Sequence, residues 1–500
     1  MIGSVLIANR GEIAVRIARG ARECGILTIA VYSEADRLAA HVLEADEAYC
    51  IGPAPSAESY LRGDAIIELA LAKGVEAIHP GYGFLAERAD FAAAVEAAGL
   101  IFIGPTSETI AAMGDKTEAR RRMAAAGVPI VPGLTEAVAG PDEAAEAADI
   151  IGYPVLLKAS AGGGGKGMRV VEAPDDLKRA FEAASREALA AFGDGSVYLE
   201  RYLARPRHIE IQVLGDAHGN VVHLAERECS IQRRHQKLIE EAPSPVLSEE
   251  DRVRMGETAV RAARAVDYRG AGTIEFLYEN GEFFFLEMNT RIQVEHTVTE
   301  LVTGLDLVEW QFRVASGEKL TFAQADVRLS GHAIECRITS EDHIGGFLPS
   351  TGTVTHLEVP TGPGVRWDGS VLEGGEVSLY YDPLLAKLIV SAPTRIRAID
   401  RMARALDELV IVGVETCAPF HRRVMDEADF RSGDFTIRYL EEHPDLLEPD
   451  YPDDELVLAA VAAAMLEDEH RRRRAPRMGT HNGSPMSAWR RVGSVWGDRQ

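Results

Sequence analysis

Between residues 272 and 296 polar and apolar side chains alternate in a way that few folds can accommodate. Gly272-Thr273-Ile274-Glu275-Phe276-Leu277-Tyr278 reads as a strand, Glu279-Asn280-Gly281-Glu282 as a turn, and Phe283 to Asn289 as the returning strand. From there Glu287, Asn289, Arg291, Gln293 and Glu295 take the odd positions, and Met288, Thr290, Ile292, Val294 and His296 the even ones. Alternate side chains of an extended chain share a face, so five hydrogen-bonding or charged groups are expected to line one surface. A solvated strand face would favour Lys, Thr and Ser over Asn, Gln and paired acids. The preceding Phe283-Phe284-Phe285 points to burial, where such a stripe needs a ligand.

The register of this hairpin decides what the stripe can hold. With a two-residue Asn280-Gly281 loop, Glu275 would oppose Leu286 and point away from Glu287. With a three-residue loop and a glycine bulge, Glu275 and Glu287 would face each other about 5 Å apart. Facing carboxylates repel unless a cation lies between them. Glu275, Glu287 and Asn289 would then form an all-oxygen site suited to Mg²⁺, or Mn²⁺, shared with substrate phosphates. The three-residue loop is therefore predicted; the competing reading is a surface hairpin with scattered acids.

A second signal lies upstream. Pro154 to Ser160 reads as a strand, followed by Ala161-Gly162-Gly163-Gly164-Gly165-Lys166-Gly167 and the apolar Met168-Arg169-Val170-Val171. Four consecutive glycines cost backbone entropy on ordering; their benefit is close approach of backbone N–H groups to an anion. The run is not a Walker A loop, because Ser160 replaces its first glycine and Gly167 its Ser/Thr. A strand–glycine loop–strand flap over phosphates is expected instead. Lysine usage agrees: of 53 basic residues only Lys73, Lys116, Lys158, Lys166, Lys178, Lys237, Lys319 and Lys387 are lysine. In so arginine-rich a chain, each lysine raises the question of whether a compact ammonium is needed. Flap, lysines and a carboxylate pair together imply ATP-dependent chemistry, with Arg291 and Glu295 supplying a second anion site and a general base.

The first hundred residues alternate short apolar runs (Ser4–Ala8, Leu27–Tyr32, Ala77–His79, Ile101–Ile103) with helical patterns, the signature of a parallel sheet with crossover helices. G-x-G-x-x-G is absent at the first turn, Ala8 to Glu12, so a dinucleotide site has little support. A net charge of −25 argues against a nucleic-acid or anionic-membrane coat. The longest apolar run, Leu456 to Leu466, is about half the roughly 20 residues of a membrane span. There is no secretory pattern at Met1 to Arg10, and the five cysteines are scattered, so a cytoplasmic protein is expected.

Longer motifs carry a resemblance. Ala8-Asn9-Arg10-Gly11-Glu12-Ile13-Ala14, His79-Pro80-Gly81-Tyr82-Gly83-Phe84-Leu85, Met113-Gly114-Asp115-Lys116, Arg227 to Lys237 and Glu287 to His296 resemble biotin carboxylase, within the ATP-grasp superfamily. The resemblance implies an α/β and α+β multidomain chain. A doubly wound parallel-sheet N-terminal domain would span 1–112, an ATP-grasp domain 113–325 with a mobile glycine-rich lid at about 130–205, a mixed α+β C-terminal domain 326–445, and a tail helix and linker 446–500.

It also implies ATP- and bicarbonate-dependent carboxylation of biotin through carboxyphosphate. Lys116, Lys158 and the backbone of Gly163, Gly164 and Gly165 would meet the ATP phosphates, Glu200 and Leu203 the adenine, and Gln232, His208 and His235 other parts of the nucleotide. Lys237, Arg291, Gln293 and Val294 would form the bicarbonate pocket, Glu295 would be the base, Arg337 would stabilise the biotin enolate, and Tyr82 would lie near biotin. Thr297 stands where the family usually has proline, and Thr339-Ser340 replaces Asn-Ala beside Arg337. All eight lysines precede residue 390 and Met-Lys-Met is absent, so biotin is expected on a separate carrier protein or subunit. A carboxyltransferase subunit would be the further partner, and the family implies a homodimer or larger complex. Asn482 to Arg491 is similar to the segment that follows this domain in propionyl- or methylcrotonyl-type acyl-CoA carboxylases, and the resemblance implies a subunit of an acyl-CoA carboxylase of acetyl-CoA or propionyl-CoA type. Alternatives are the biotin carboxylase part of a pyruvate carboxylase, another ATP-grasp carboxylate–amine ligase, or a non-catalytic nucleotide-binding regulator.

Overall fold

Short apolar strands joined by amphipathic helices can bury both sheet faces only by crossing over in parallel, and the N-terminal region does so. The computed structural model describes residues 1–134, 137–159, 168–192, 194–448 and 457–466. Strands β1 (Ser4–Ile7), β2 (Leu27–Ser33), β3 (Glu47–Gly52), β4 (Ala77–His79) and β5 (Ile101–Phe102) form a parallel sheet in the order β3-β2-β1-β4-β5. β3 falls outside the expected strands; it lies at the sheet edge with no buried residue and no apolar run to mark it. Strand order reverses between β1 and β4, where open sheets bind ligands. Here protein groups occupy that crevice: Asn9 Nδ2 donates to the Pro80 and Tyr82 carbonyls at 2.7 Å each, and Arg10 pairs with Asp36 at 2.6 Å. Gly81 sits at φ +62°, and a Cβ there would lie 2.8 Å from Asn9 Nδ2, which accounts for the glycine in His79-Pro80-Gly81.

The flap is a hairpin. β6 (Val155–Ala159) pairs antiparallel with β7 (Arg169–Val171), and β8 (Val197–Arg201) pairs with the other edge of β6. Gly163, Gly164, Gly165 and Lys166 lie outside the described residues.

The largest sheet combines β9 (Arg207–Gly215), β10 (Val221–Arg233), β11 (Gln236–Ala242), β12 (Gly270–Glu279), β13 (Glu282–Asn289) and β14 (His332–Thr339) with the strands Leu384–Ala392 and Val365–Gly369. Its order is β13-β12-β9-β10-β11-β14 followed by those two. The ladder therefore runs unbroken across residue 325, with Glu240 of β11 opposite Glu335 of β14. That pairing brings Arg337 alongside residues that precede it by nearly a hundred positions.

The β12–β13 hairpin reaches the expected facing of acids by another route. Asn280 and Gly281 take φ of 52° and 82° and form a two-residue turn with Glu279 opposite Glu282; the three-residue loop does not form. Both positive φ values match the strand twist, which Asn-Gly accepts at low cost. The extra residue sits in the ladder instead. Phe285 opposes Phe276 and Glu287 opposes Glu275, leaving Leu286 as a bulge between them. The stripe also stops early: β13 ends at Asn289, and Glu295 is the cap residue of the helix His296–Thr303 rather than part of an extended strand.

Residues 448–500 form a separate unit, in which the described helix 457–466 is exposed along its whole length. Among the described residues no helix is long and apolar enough to cross a membrane.

Candidate active site

A cavity of about 1240 Å³ opens between the lid strands, the β12–β13 hairpin and β14. Lys116, Lys158, Glu200, Leu203, His208, Gln232, His235, Lys237, Glu275, Glu287, Asn289, Arg291, Gln293, Val294, Glu295 and Arg337 all line it. Apolar groups from the lid and hairpin, including Leu156, Leu203 and Leu277, share its wall with the charges. A flat aromatic base and a polyanion can thus be accommodated in one space.

The acids come from neighbouring strands. Glu275 faces Glu287 on one side and Glu210 of β9 on the other, and Glu210 faces Arg227 of β10. Burial and the neighbouring Glu275 push the Glu287 carboxyl above its ordinary range. Glu275 behaves oppositely: burial would raise it, but Lys237 and His208 hold it well below the usual carboxylate range. His208 Nε2 lies 3.0 Å from Glu275, and Asn289 and Gln293 donate to the same carboxylate at 2.9 and 2.8 Å.

Lys237 is the hub. Its ammonium donates to Glu210 at 2.5 Å, Glu275 at 2.9 Å and Glu295 at 2.6 Å. Burial disfavours its charge, yet the three carboxylates outweigh burial and keep it protonated. Glu295 in turn bridges Lys237 and Arg337, whose Nη2 lies 2.9 Å away. Against the cost of burial, Lys237, Arg337 and Arg227 hold Glu295 ionised well below the usual range. Arg337 also donates through Nε to Glu240 at 2.6 Å. Glu240 is fully buried and pushed up to about 7, chiefly by burial and also by the Glu295 charge. Arg337 is thus shared by two acids, neither of them its strand neighbour Glu335, which accepts from Thr297 instead.

Arg291 donates to Glu87 at 2.9 Å and Asn289 at 2.8 Å. At the lid end, Lys158 pairs with the buried Glu200, which also meets Arg120 at 3.4 Å. Lys116 is the first residue of the helix Lys116–Ala125, whose cap Asp115 accepts from the Thr117 and Glu118 amides at 2.9 Å. Gln232 lies opposite Lys237, and Arg234 and His235 form the β10–β11 turn at φ 49° and 68°. Non-glycine residues pay strain there, and the turn places His235 on the cavity wall.

Tyr82 does not line the cavity; its hydroxyl donates to Glu12 and its ring packs beside the N-terminal core. Conversely, Arg120 lines the cavity, and Glu210, Glu240 and Arg227 lie behind it bonded to Lys237, Arg337 and Gln293; the sequence alone assigns none of the four a role. Glu210 carries a usable signal, because His208, Glu210 and Gln212 alternate with Ile209 and Ile211 as the hairpin stripe does. Arg227, fully buried, ties that row together by donating to Glu210 at 2.5 Å, Gln212 at 2.6 Å and Gln293 at 2.6 Å.

Comparison with known proteins places this geometry. Residues 1–110 match the family model of the biotin carboxylase N-terminal domain, 115–323 that of the carbamoyl-phosphate synthase L chain ATP binding domain, and 335–442 that of the biotin carboxylase C-terminal domain. The chain is 55% identical over 444 residues to a subunit of the pyruvate carboxylase of Methanothermobacter thermautotrophicus, covering 89% of this chain and 90% of that one. It is 49% identical over 481 residues to the alpha subunit of the mitochondrial methylcrotonoyl-CoA carboxylase of Glycine max, covering 94% and 66%. Its fold matches the biotin carboxylase domain dimer of Hydrogenobacter thermophilus 2-oxoglutarate carboxylase, solved with MgADP, ADP and bicarbonate, at a TM-score of 0.83 and 51% identity, covering 91% of this chain and all of that one. With all three domain models matched in order along one cavity-bearing body, the chain belongs to the biotin carboxylases, ATP-dependent ligases built on the ATP-grasp fold.

Proposed function

We propose that the cavity binds ATP and bicarbonate, forms carboxyphosphate, and carboxylates biotin presented by a separate carrier. The observation that carries this reading is Glu295 held between Lys237 at 2.6 Å and Arg337 at 2.9 Å. An anion entering beside Lys237 and Arg291 competes with Glu295 for the ammonium. As Lys237 turns to the substrate, Glu295 loses one of the cations that keep it acidic and becomes a better proton acceptor. Bicarbonate oxygen then attacks the terminal phosphorus of ATP, its proton passes to Glu295, and ADP leaves. Carboxyphosphate then breaks into CO₂ and phosphate, the phosphate takes the ureido N–H proton, the ring nitrogen adds to CO₂, and Arg337 stabilises the oxyanion character that develops on the ureido oxygen.

Lys116 and Lys158 are assigned to the ATP phosphates, as are the backbone amides of Gly163, Gly164 and Gly165. The adenine goes to the slot beside Glu200 and Leu203, and His208, Gln232 and His235 to other parts of the nucleotide. Gln293 and Val294 complete the bicarbonate pocket. Facing carboxylates with Glu287 pushed upward fit a divalent cation, and Glu275, Glu287 and Asn289 offer oxygen ligands for Mg²⁺ or Mn²⁺. That ion would neutralise phosphate charge.

An acyl-CoA acceptor, of acetyl-CoA or propionyl-CoA type, is proposed for the whole enzyme on the likeness of Asn482 to Arg491, while the alignments pass the carboxylase core in the methylcrotonoyl-CoA and 2-oxoglutarate relatives alike. The pyruvate and 2-oxoglutarate relatives make those acceptors the alternatives. A dimer is proposed on the likeness to the dimeric relative. Five unpaired thiols favour a reducing, cytoplasmic setting.

The test is ADP release from MgATP with bicarbonate, with and without free biotin. Biotin stimulation supports the proposal. Amine-dependent turnover would instead indicate a carboxylate–amine ligase, and no turnover a nucleotide-binding regulator.

A further inference from the structure

One of the four lysines outside the proposed ATP and bicarbonate motifs is fully buried. Lys387, on the strand Leu384–Ala392, has no exposed surface. Its ammonium donates to the Val294 carbonyl at 2.9 Å and pairs with Glu12 at 3.2 Å. Glu12 belongs to the helix Gly11–Glu23 and also accepts from the Tyr82 hydroxyl. One side chain therefore joins the N-terminal helix, the loop after β13 and the C-terminal strands. Lys387 also stands opposite Arg337 on one neighbouring strand and Asp368 on the other.

We propose that Lys387 is a positioning residue for Glu295, acting through the Val294–Glu295 peptide. The inference rests on the reading of Glu295 as the base. The Val294 carbonyl and the Glu295 amide belong to one planar unit. Fixing that carbonyl fixes the backbone from which the Glu295 side chain leaves, just where the chain turns from loop into the helix His296–Thr303 at φ −80° and ψ 11°. Glu295 has no neighbouring strand to hold it, since β13 has ended at Asn289. Lysine suits the place. The site offers one carbonyl oxygen and one carboxylate oxygen within reach, which a point charge on a thin stem satisfies. The planar five-donor fork of arginine would leave buried N–H groups unpaired.

The experiment compares full-length wild type, Lys387→Met, Lys387→Arg and Glu295→Gln. It measures bicarbonate-dependent ADP release, KM for ATP, calorimetric affinity for MgADP, and thermal melting. Lys387→Met is expected to bind MgADP and to keep its KM for ATP within about twofold. Its bicarbonate-dependent kcat is expected to fall at least about tenfold, the scale set by displacing a reacting group by a fraction of an ångström. A folded Lys387→Met with wild-type kcat overturns the proposal. Should that variant fail to fold, Lys387→Arg decides: a tenfold kcat loss with ATP affinity kept supports positioning, and normal turnover overturns it. Glu295→Gln is scored separately, because turnover in that variant refutes the base assignment whatever the lysine variants do.

Discussion

Glu275 and Glu287 stand directly opposite one another across a hairpin ladder that skips Leu286. Two like charges in cross-strand register oppose folding, by about 0.5 kcal/mol on the usual scale of such pairs. The arrangement is explicable as a binding device maintained at the expense of stability. Glu287→Gln is accordingly expected to melt at the same temperature as wild type, or slightly higher, without divalent ion. The same substitution should weaken Mg²⁺-dependent nucleotide binding by at least about tenfold, since it would remove one anionic group of the proposed Mg²⁺ site. Calorimetry with and without Mg²⁺ checks both halves. Unchanged Mg²⁺-dependent affinity would remove Glu287 from the site.

Thr297 is buried in the first turn of the helix His296–Thr303. Its hydroxyl donates to Glu335, which is fully buried and whose carboxyl is pushed well above the usual range by burial. Thr297→Val keeps the shape and leaves that carboxyl without its donor, so stability should fall by about 1–3 kcal/mol. Thr297→Ser should retain most of it. Equal denaturation midpoints for the valine and serine variants would show that the hydroxyl contributes nothing.

His421 predicts a pH dependence with a definite sign. Its Nε2 lies 2.7 Å from the Arg337 carbonyl, and burial depresses its pKa from 6.5 to about 4. The neutral ring can donate to that carbonyl. Between pH 4 and 6.5 the unfolded chain takes up the proton and the folded chain does not. The contribution is therefore fully present above about pH 6.5 and is lost as pH falls towards 4. Relative to wild type, His421→Gln should gain about 3 kcal/mol across that window, from about 1.4 kcal/mol per pK unit. Urea titrations of both proteins at pH 4.5, 5.5 and 7 measure it. A difference that stays constant with pH would mean that His421 titrates normally.

Legibility in the sequence follows the range of the interaction. The parallel order of β1, β2 and β4 is readable because each strand is a local apolar run beside a helical period, whereas the half-exposed β3 has neither. The facing of Glu275 and Glu287 can be inferred from the chemistry it permits, but the bulge at Leu286 cannot, since Asn280-Gly281 satisfies a two-residue turn and nothing local marks where the ladder slips. Glu295 is recognisable as part of a polar stripe, although a helix start rather than a pleat delivers it to the cavity. The partners that tune it are least visible. Glu240 meets Arg337 of β14, and Lys387 meets Glu12 and Val294, all distant in sequence, while Arg227, on a strand flanked by its sequence neighbours β9 and β11, reaches Gln293 across the fold; no local pattern encodes those contacts.

The tail provides the last prediction. Every residue lining the cavity falls between Lys116 and Ile437, and residues 1–447 form one compact unit while 448–500 form another. Within 448–500 the described helix 457–466 carries Val457, Leu458, Val461, Met465 and Leu466 with more than half of each surface exposed. Such a helix buries no apolar face, and apolar surface left in water is costly. A chain ending at residue 447 should therefore turn over MgATP and bicarbonate, with free biotin stimulating it, within about twofold of the full-length protein, as expected when no group at the reacting centre is changed. Its complex with carrier and carboxyltransferase subunits, followed by gel filtration, should weaken if the acyl-CoA reading of Asn482 to Arg491 is right. Loss of biotin-stimulated ADP release in the shortened protein would show instead that the tail serves the cavity itself.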